Sequence, residues 1–298
     1  MKSIFFEGHV FLHEDFVFPK NAISALYRLK AAGFALGFDM QHLHDEQQLI
    51  LVQESFVDET VTAATATLVI RKNERNGMIL ISGTDISEVF TGNDWMELID
   101  DIIFPDRIAH IERNTNETQI MLSVNLDGNG DCDIKTGLYF YDHMLHQIGK
   151  HSLIDLYINC NGDLEVDEHH TIEDVAIALG QALNSAIGDK RGIERYSFHL
   201  AMDETKSEVA LDLSGRPYLV FEGDFKREYV GDFPLEMLKH FFHTLAIHLQ
   251  ATLHIKVNGE NEHHMIESCF KGLAVSLKHA ISRSERTIGK LPSSKGIL

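Results

Sequence analysis

The 298-residue sequence predicts an α+β fold in which one half-domain, strands–helix–strand–helix, is built twice and is preceded by a smaller α/β region. Three observations predict it. His-His-x-x-Glu occurs at His169-His170…Glu173 and returns 94 residues later at His263-His264…Glu267. A second histidine run, His143, His146 and His151, returns with the same offsets at His240, His243 and His248, 97 residues on. The composition also changes near residue 106: the first 106 residues hold 7 Lys+Arg against 17 Asp+Glu, and 14 of the 18 histidines come after them. A spaced return of metal-type ligands marks a duplicated unit. The domains read from this are 1–105 and 106–298, the latter with halves at about 106–191 and 192–298.

The first region opens on a strand over 3–12. A helix is expected over 19–32, where Ala22, Leu26 and Leu29 recur near the helical period and Gly33 stands at the C-cap. A strand over 34–38 completes a βαβ unit. Further strands are expected at 49–52, 66–71 and 78–82, then a helix over 86–102. Beyond Pro105, strands over 109–113 and 119–125 lead to Leu126-Asp127-Gly128-Asn129-Gly130, which reads as a hairpin turn. A helix over 140–151, a strand over 153–160, a turn at 161–163 and a helix over 170–188 follow. That last helix carries Ile172, Val175, Ala176, Leu179, Leu183 and Ile187 on one face. The order then restarts with strands over 195–201, 208–213 and 219–222, the turn Ser214-Gly215-Arg216-Pro217, a helix over 234–251, a strand over 252–257 and a helix over 264–284.

A net charge of −19 argues against nucleic acid or an acidic membrane surface as partner. Three scattered cysteines, Cys132, Cys160 and Cys269, form no disulfide framework and suit a reducing cytoplasm. Charge returns at Glu7, too early for a signal-peptide core, and no apolar run reaches spanning length.

The histidines point to two metal sites. Neighbouring helical residues project about 100° apart, so His169 and His170 serve different ions, whereas positions i and i+4 share a face. A symmetric assignment gives one ion His143, His170, His263 and Glu267, and the other His169, His240, His264 and Glu173. Three imidazoles and a carboxylate suit Mn, Fe, Co, Ni or Zn better than Mg or Ca. His146, His199, His243, His248, His254 and His279 are expected on the surface or behind the ligands.

The phrase Leu29-Lys30-Ala31-Ala32-Gly33-Phe34-Ala35-Leu36 resembles the helix-to-strand crossover of haloacid-dehalogenase-like phosphatases. That family needs an Asp-x-Asp pair after its first strand; here the place reads Phe6-Glu7-Gly8-His9-Val10, and Asp39 or its neighbours replace the later Ser/Thr. A degenerate, non-catalytic region is expected.

From about residue 107 the resemblance is to the imidazoleglycerol-phosphate dehydratases of histidine biosynthesis. It is carried by Arg113-Asn114-Thr115-Asn116-Glu117-Thr118, Asn125-Leu126-Asp127-Gly128, Asp142-His143-Met144-Leu145, Asp167 through Asp174, Gly188 through Ile193, Met202-Asp203-Glu204, Ser214-Gly215-Arg216-Pro217, Asn261-Glu262-His263-His264 and Pro292-Ser293-Ser294-Lys295-Gly296. Some members carry an N-terminal histidinol-phosphate phosphatase half. The resemblance implies a hydro-lyase that removes water from imidazole glycerol phosphate to give imidazole acetol phosphate. It implies two Mn²⁺ on the eight ligands above, and substrate contacts at Glu117, His143, His151, His169, Arg195, Arg216, His263, Lys271, Ser293 and Lys295. Glu117 is the expected proton-transfer group, and His169, Glu173, His263 and Glu267 count with it as catalytic. It further implies trimers assembled into a larger shell with active sites between subunits. Arg, Lys and hydroxyl donors in an acidic chain fit a phosphate ester. The rivals are residual histidinol-phosphate phosphatase activity, a dinuclear metallohydrolase, which needs a metal-bound water, and a metal-dependent scaffold. The two departures noted, His146 and His199-Leu200-Ala201, touch no ligand.

Overall fold

A computed structural model describes residues 2–11, 18–73, 77–82, 90–92, 94–284 and 286–298, of which 73, 77–82, 90–92 and 197–200 are described by backbone alone. The chain divides into two compact units, Met1–Pro105 and Asp106–Leu298.

In the first unit, β1 (Ser3–Phe6) lies parallel to β2 (Ala35–Phe38), and α1 (Ala22–Ala31) joins them. Helix α1 ends where Gly33 takes φ +85°, a left-handed turn that glycine enters without steric penalty. Helix α2 (Asp45–Gln53), β3 (Leu68–Asn73), β4 (Gly77–Ser82), β5 (Phe90–Gly92) and α3 (Trp95–Ile103) follow. The sheet order is β2-β1-β3-β4-β5, parallel at β1–β2 and β1–β3 and antiparallel beyond. Phe6, Phe11, Phe38 and Trp95 close its core with packed rings.

Three expectations change here. Residues 49–52 are helical, not a strand. Asp45 and Glu46 complement the helix dipole in the first turn, and Gln47 Oε1 accepts from His44 N at 3.2 Å. The apolar run therefore wraps the helix, with Leu51 buried and Leu49 and Val52 exposed. The strand expected over 3–12 stops at Phe6, Gly8–Phe11 is a 3₁₀ turn, and Leu12 lies outside the described residues. The helix expected from 86 starts at Trp95, where Asp94 Oδ1 caps Met96 N at 2.8 Å; Phe90–Gly92 is a strand, and 86–89 lie outside the description.

The second unit contains the duplication in full. Its first half is β6 (Ile108–Asn114), β7 (Thr118–Asn125), β8 (Cys132–Lys135), α4 (Tyr139–Ser152), β9 (Asp155–Gly162) and α5 (His169–Ile187). The second half repeats this as β10 (Tyr196–Met202), β11 (Thr205–Asp212), β12 (Tyr218–Glu222), α6 (Glu236–Leu249), β15 (Thr252–Asn258) and α7 (Glu262–Ala280). A short ladder of β13 (Tyr229–Val230) with β14 (Phe233–Pro234) precedes α6. The sheets, β6-β7-β9-β8 and β10-β11-β15-β12, share one topology: the first three strands are antiparallel and the last pair is parallel. The turn at 126–130 is therefore no hairpin. β9 inserts between β7 and β8, and β8 pairs with β9 instead. Asn161 and Gly162, expected in a turn, extend β9.

The helices cross between halves, α4 packing on α7 and α5 on α6. One continuous core results. At Gly180 of α5 an added Cβ would stand 3.0 Å from the Leu245 carbonyl of α6, so the close helix approach needs glycine there. Among the described residues no helix is long and apolar enough to cross a membrane.

Candidate metal centres

The helix crossing brings ligands from both halves together. His143 and His240 are each the fifth residue of a 14-residue helix, α4 and α6. The paired histidines sit in the first turns of α5 and α7 for the same local reason. Asp167 Oδ1 accepts from His169 N and Asn261 Oδ1 from His263 N, both at 3.0 Å, so an Asx residue two positions upstream starts each helix.

Among the described residues three three-residue clusters have their ligand atoms within 4.8 Å of one another: His143, His263, Glu267 and His169, His240, Glu173, which draw on both halves, and Asp203, Glu204, His264, which does not. In the first, His263 Nε2 and His143 Nε2 lie 3.2 and 3.9 Å from Glu267 Oε2. In the second, His169 Nε2 is 3.4 Å from Glu173 Oε2 and His240 Nε2 is 3.2 Å from Oε1. Ligands at about 2.1 Å from a common ion stand about 3–3.5 Å apart, which these spacings approach. His240 Nε2 is buried and, despite its 3.2 Å contact, lacks hydrogen-bond geometry to any partner among the described residues. Such an atom is costly unless something binds it, and an ion would. The donor set therefore fits a divalent transition metal.

The expected fourth ligands are not there. His170 does not join His143, His263 and Glu267, nor His264 the other cluster. Each points along a different direction of its helix from the histidine before it. His170 Nδ1 lies 3.1 Å from Asp163 Oδ1, and its Nε2 is 3.6 Å from Glu117 Oε1. His264 Nδ1 lies 3.0 Å from Glu204 Oε2. Both imidazoles are raised in pKa, first by these hydrogen bonds to Asp163 and Glu204, and the Glu204 carboxyl falls to about 2 with His264 as its main partner.

Lys271 Nζ stands 2.7 Å from Glu267 Oε1. Burial pushes the Glu267 carboxyl up, but the hydrogen bond and charge of Lys271, with His143 and His263, bring it below the usual glutamate range. His151, at the end of α4, is pushed down first by burial and then by Lys271. Arg195 gathers with the C-terminal tail. It is buried at φ +73°, its Nε and Nη2 donate to Asp212 Oδ1 and Oδ2 at 2.6 and 3.0 Å, and its Nη1 donates to the Pro292 carbonyl at 2.8 Å. Such over-determination holds a left-handed arginine. Arg216 is exposed in the turn after β11, where Ser214 Oγ accepts from its backbone N. Ser293 Oγ donates to the Ile297 carbonyl and accepts from Lys295 N. Within one chain the expected contacts thus fall into separate groups: Lys271 and His151 beside one cluster, Glu117 beside His170, and Arg195 with the tail.

Sequence reasoning assigned no role to Asp163, Glu204, Asp174 or Asp212. Glu204 had a usable signal, since Glu204-Thr205 repeats Glu117-Thr118 at the start of β11 and β7. The side chain of His199 lies outside the described residues.

The family model for imidazoleglycerol-phosphate dehydratase matches residues 136–277. The imidazoleglycerol-phosphate dehydratase of Cereibacter sphaeroides is 51% identical over 194 residues, 64% of this chain and 100% of that protein. The histidine biosynthesis bifunctional protein HisB of Spirosoma linguale is 49% identical over 232 residues, 75% of this chain and 61% of its own length. That share exceeds the second unit, so the likeness reaches into the first. The Bacteroides fragilis protein of the same name is 54% identical over 205 residues, and the match takes in 54% of its length; the chain spans little more than half of these bifunctional relatives. The crystal structure of the Staphylococcus aureus dehydratase aligns with TM-score 0.55 at 36% identity, over 59% of this chain and 99% of that one. In sequence and in fold, the chain belongs to the imidazoleglycerol-phosphate dehydratase family.

Proposed function

We propose that the chain is a hydro-lyase of histidine biosynthesis, converting imidazole glycerol phosphate to imidazole acetol phosphate with two Mn²⁺ ions. The observation that carries this reading is the pair of equivalent His₂Glu clusters, each drawn from both halves, with Lys271 beside one. His143, His263 and Glu267 would hold one ion and His169, His240 and Glu173 the other. Cations held there would supply Lewis acidity, which lowers the pKa of a bound imidazole ring. The protein's own groups do the rest. Arg195, Arg216, Lys271, Ser293 and Lys295 bind the phosphate, so binding energy remote from the reacting carbon orients the ring. Glu117, half-exposed beside His170, moves the proton of the carbon next to the departing hydroxyl.

The fourth ligand of each ion would be His170 or His264 of a neighbouring copy, which agrees with trimers assembled into a larger shell. Light scattering tests this: a fully active monomer would contradict it. The first unit is read as a non-catalytic, phosphatase-like relic. β1 ends at Phe6, and the next residue is Glu7, paired with Arg71 at 2.6 Å, where a phosphatase would carry its nucleophilic aspartate. Free thiols at Cys132, Cys160 and Cys269 suit a reducing cytoplasm.

The test is turnover of imidazole glycerol phosphate by the full chain before and after chelation and with Mn²⁺ restored, alongside phosphate release from histidinol phosphate. Metal-dependent ketone without phosphate release is expected. No ketone with any metal would leave a scaffold, and phosphate release would overturn the reading of the first unit.

A further inference from the structure

Two carboxylates outside the clusters grip the histidines that the clusters leave out. Asp163 stands immediately after β9, with His170 Nδ1 3.1 and 3.2 Å from its two oxygens. Glu204 stands immediately before β11, with His264 Nδ1 3.0 and 3.3 Å from its oxygens. An ionised carboxylate only accepts hydrogen bonds, so each imidazole donates Nδ1–H and carries its lone pair on Nε2. Carboxylates behind metal-binding histidines fix tautomer and ring plane in this way.

The two carboxylates are not equivalent by the repeat. Glu204 corresponds to Glu117: each precedes the threonine that opens the second strand of its half. In the second half this glutamate is drawn onto Nδ1. In the first half Asp163 already fills that place, and Glu117 lies on the other side of the ring, 3.6 Å from Nε2.

We infer that Asp163 and Glu204 are positioning residues that present His170 and His264 to metal through Nε2, and that Asp163, by taking this task in the first half, leaves Glu117 free on the metal-facing side for proton transfer. Divergence after duplication thus gave one glutamate to structure and its twin to chemistry. The inference rests on the reading of His170 and His264 as metal ligands. It also explains the third acidic cluster, Asp203, Glu204 and His264, as a hydrogen-bonded support for a ligand in place of a separate ion site.

The experiment compares Mn²⁺ affinity of the full-length assembly by chelator competition in wild type, Glu204→Gln, Asp163→Asn and Glu117→Gln, with thermal midpoint and assembly mass recorded on the same samples. Glu204→Gln and Asp163→Asn should each weaken Mn²⁺ about 10–100-fold, with a midpoint before metal addition near wild type. Turnover that fails at low Mn²⁺ should recover in excess Mn²⁺. Glu117→Gln should bind Mn²⁺ within about threefold of wild type yet stay inactive at any Mn²⁺ concentration. Glu204→Asp, which keeps the acceptor on a shorter arm, should fall between Glu204→Gln and wild type. Equal affinity in wild type and Glu204→Gln would overturn the inference, as would a Glu117→Gln variant as weak in metal as Glu204→Gln. Wild type that binds no Mn²⁺ would overturn the metal reading beneath it.

Discussion

The two halves of the second unit share topology, ligand positions and caps, yet their surroundings differ. Four residues after Glu267 stands Lys271, in contact with it; four residues after Glu173 stands Ile177. The first half pairs the partly exposed Arg113 with the buried Asp174, where the second has Ser268 at the place of Asp174. The second half carries an insertion before α6 whose Asp232 accepts from Tyr139 N and Phe140 N, capping α4 of the first half. Each of the paired clusters takes side chains from both halves, so a substitution in either half breaks a shared site. The side chains around the clusters do not follow the repeat, and Lys271 and the Arg113–Asp174 pair each occur in one half alone.

The largest test of this equivalence is removal of one carboxylate from each cluster. Glu173→Gln and Glu267→Gln should each lower kcat/KM by about 10³-fold or more, a loss of about 4 kcal/mol of transition-state stabilisation. Metal analysis should show both variants losing Mn²⁺. A Glu173→Gln enzyme with a tenth of wild-type activity would make the two clusters unequal. Lys271→Met should expose the asymmetry next, with kcat/KM down about 10²-fold and Mn²⁺ content retained, because its ammonium pairs with Glu267 in one cluster alone and is the proposed phosphate donor there.

The duplication was legible in the sequence because histidine and glutamate are sparse and their spacing survives exactly where helices fix direction. His143 with His263 and Glu267, and His240 with His169 and Glu173, follow from that spacing. The placing of His170 and His264 did not, since sequence spacing cannot tell whether a ligand serves its own chain. Local patterns misled where tertiary context decided: the glycine-rich turn at 126–130 has hairpin chemistry, but β9 takes the strand edge a hairpin would use. Residues 49–52 have strand composition, but the acidic start of α2 and its Gln47 box commit them to helix. Asp174 and Asp212 were silent because a buried carboxylate is defined by partners far away in sequence, Arg113 and Arg195.

Stability should show the next largest difference. Asp174 is buried and accepts from Arg113 Nε and Nη2 at 3.0 and 2.6 Å and from Thr118 Oγ1 at 2.5 Å. Asp174→Ala leaves the guanidinium and the hydroxyls without their acceptor and should cost about 3–5 kcal/mol, roughly 10 °C in thermal midpoint. Ser268→Ala at the equivalent place removes one hydroxyl donor to the Met265 carbonyl and should cost about 1 kcal/mol. Similar losses at both positions would mean that the halves are supported alike.

The smallest effect is one the halves should share. His151 and His248 are repeat equivalents, and both imidazoles lie below the ordinary 6.5, first through burial and then through a neighbouring cation, Lys271 for His151 and Arg113 for His248. Their folded values are below their unfolded ones, so the unfolded chain binds protons more readily as the solution is acidified through 6.5, and stability is lost as pH falls through that window. His170 and His264 work in the opposite sense: their raised values favour the folded chain below 6.5, and that contribution disappears as pH rises through their folded values. In metal-free protein the paired substitution of His151→Gln with His248→Gln should therefore flatten the decline of the thermal midpoint between pH 7 and 5. Lys271→Met should raise the NMR titration midpoint of His151 and leave that of His248 in place. If both midpoints moved together, the cation would be acting through the fold as a whole, and the local difference between the two halves would lose its electrostatic basis.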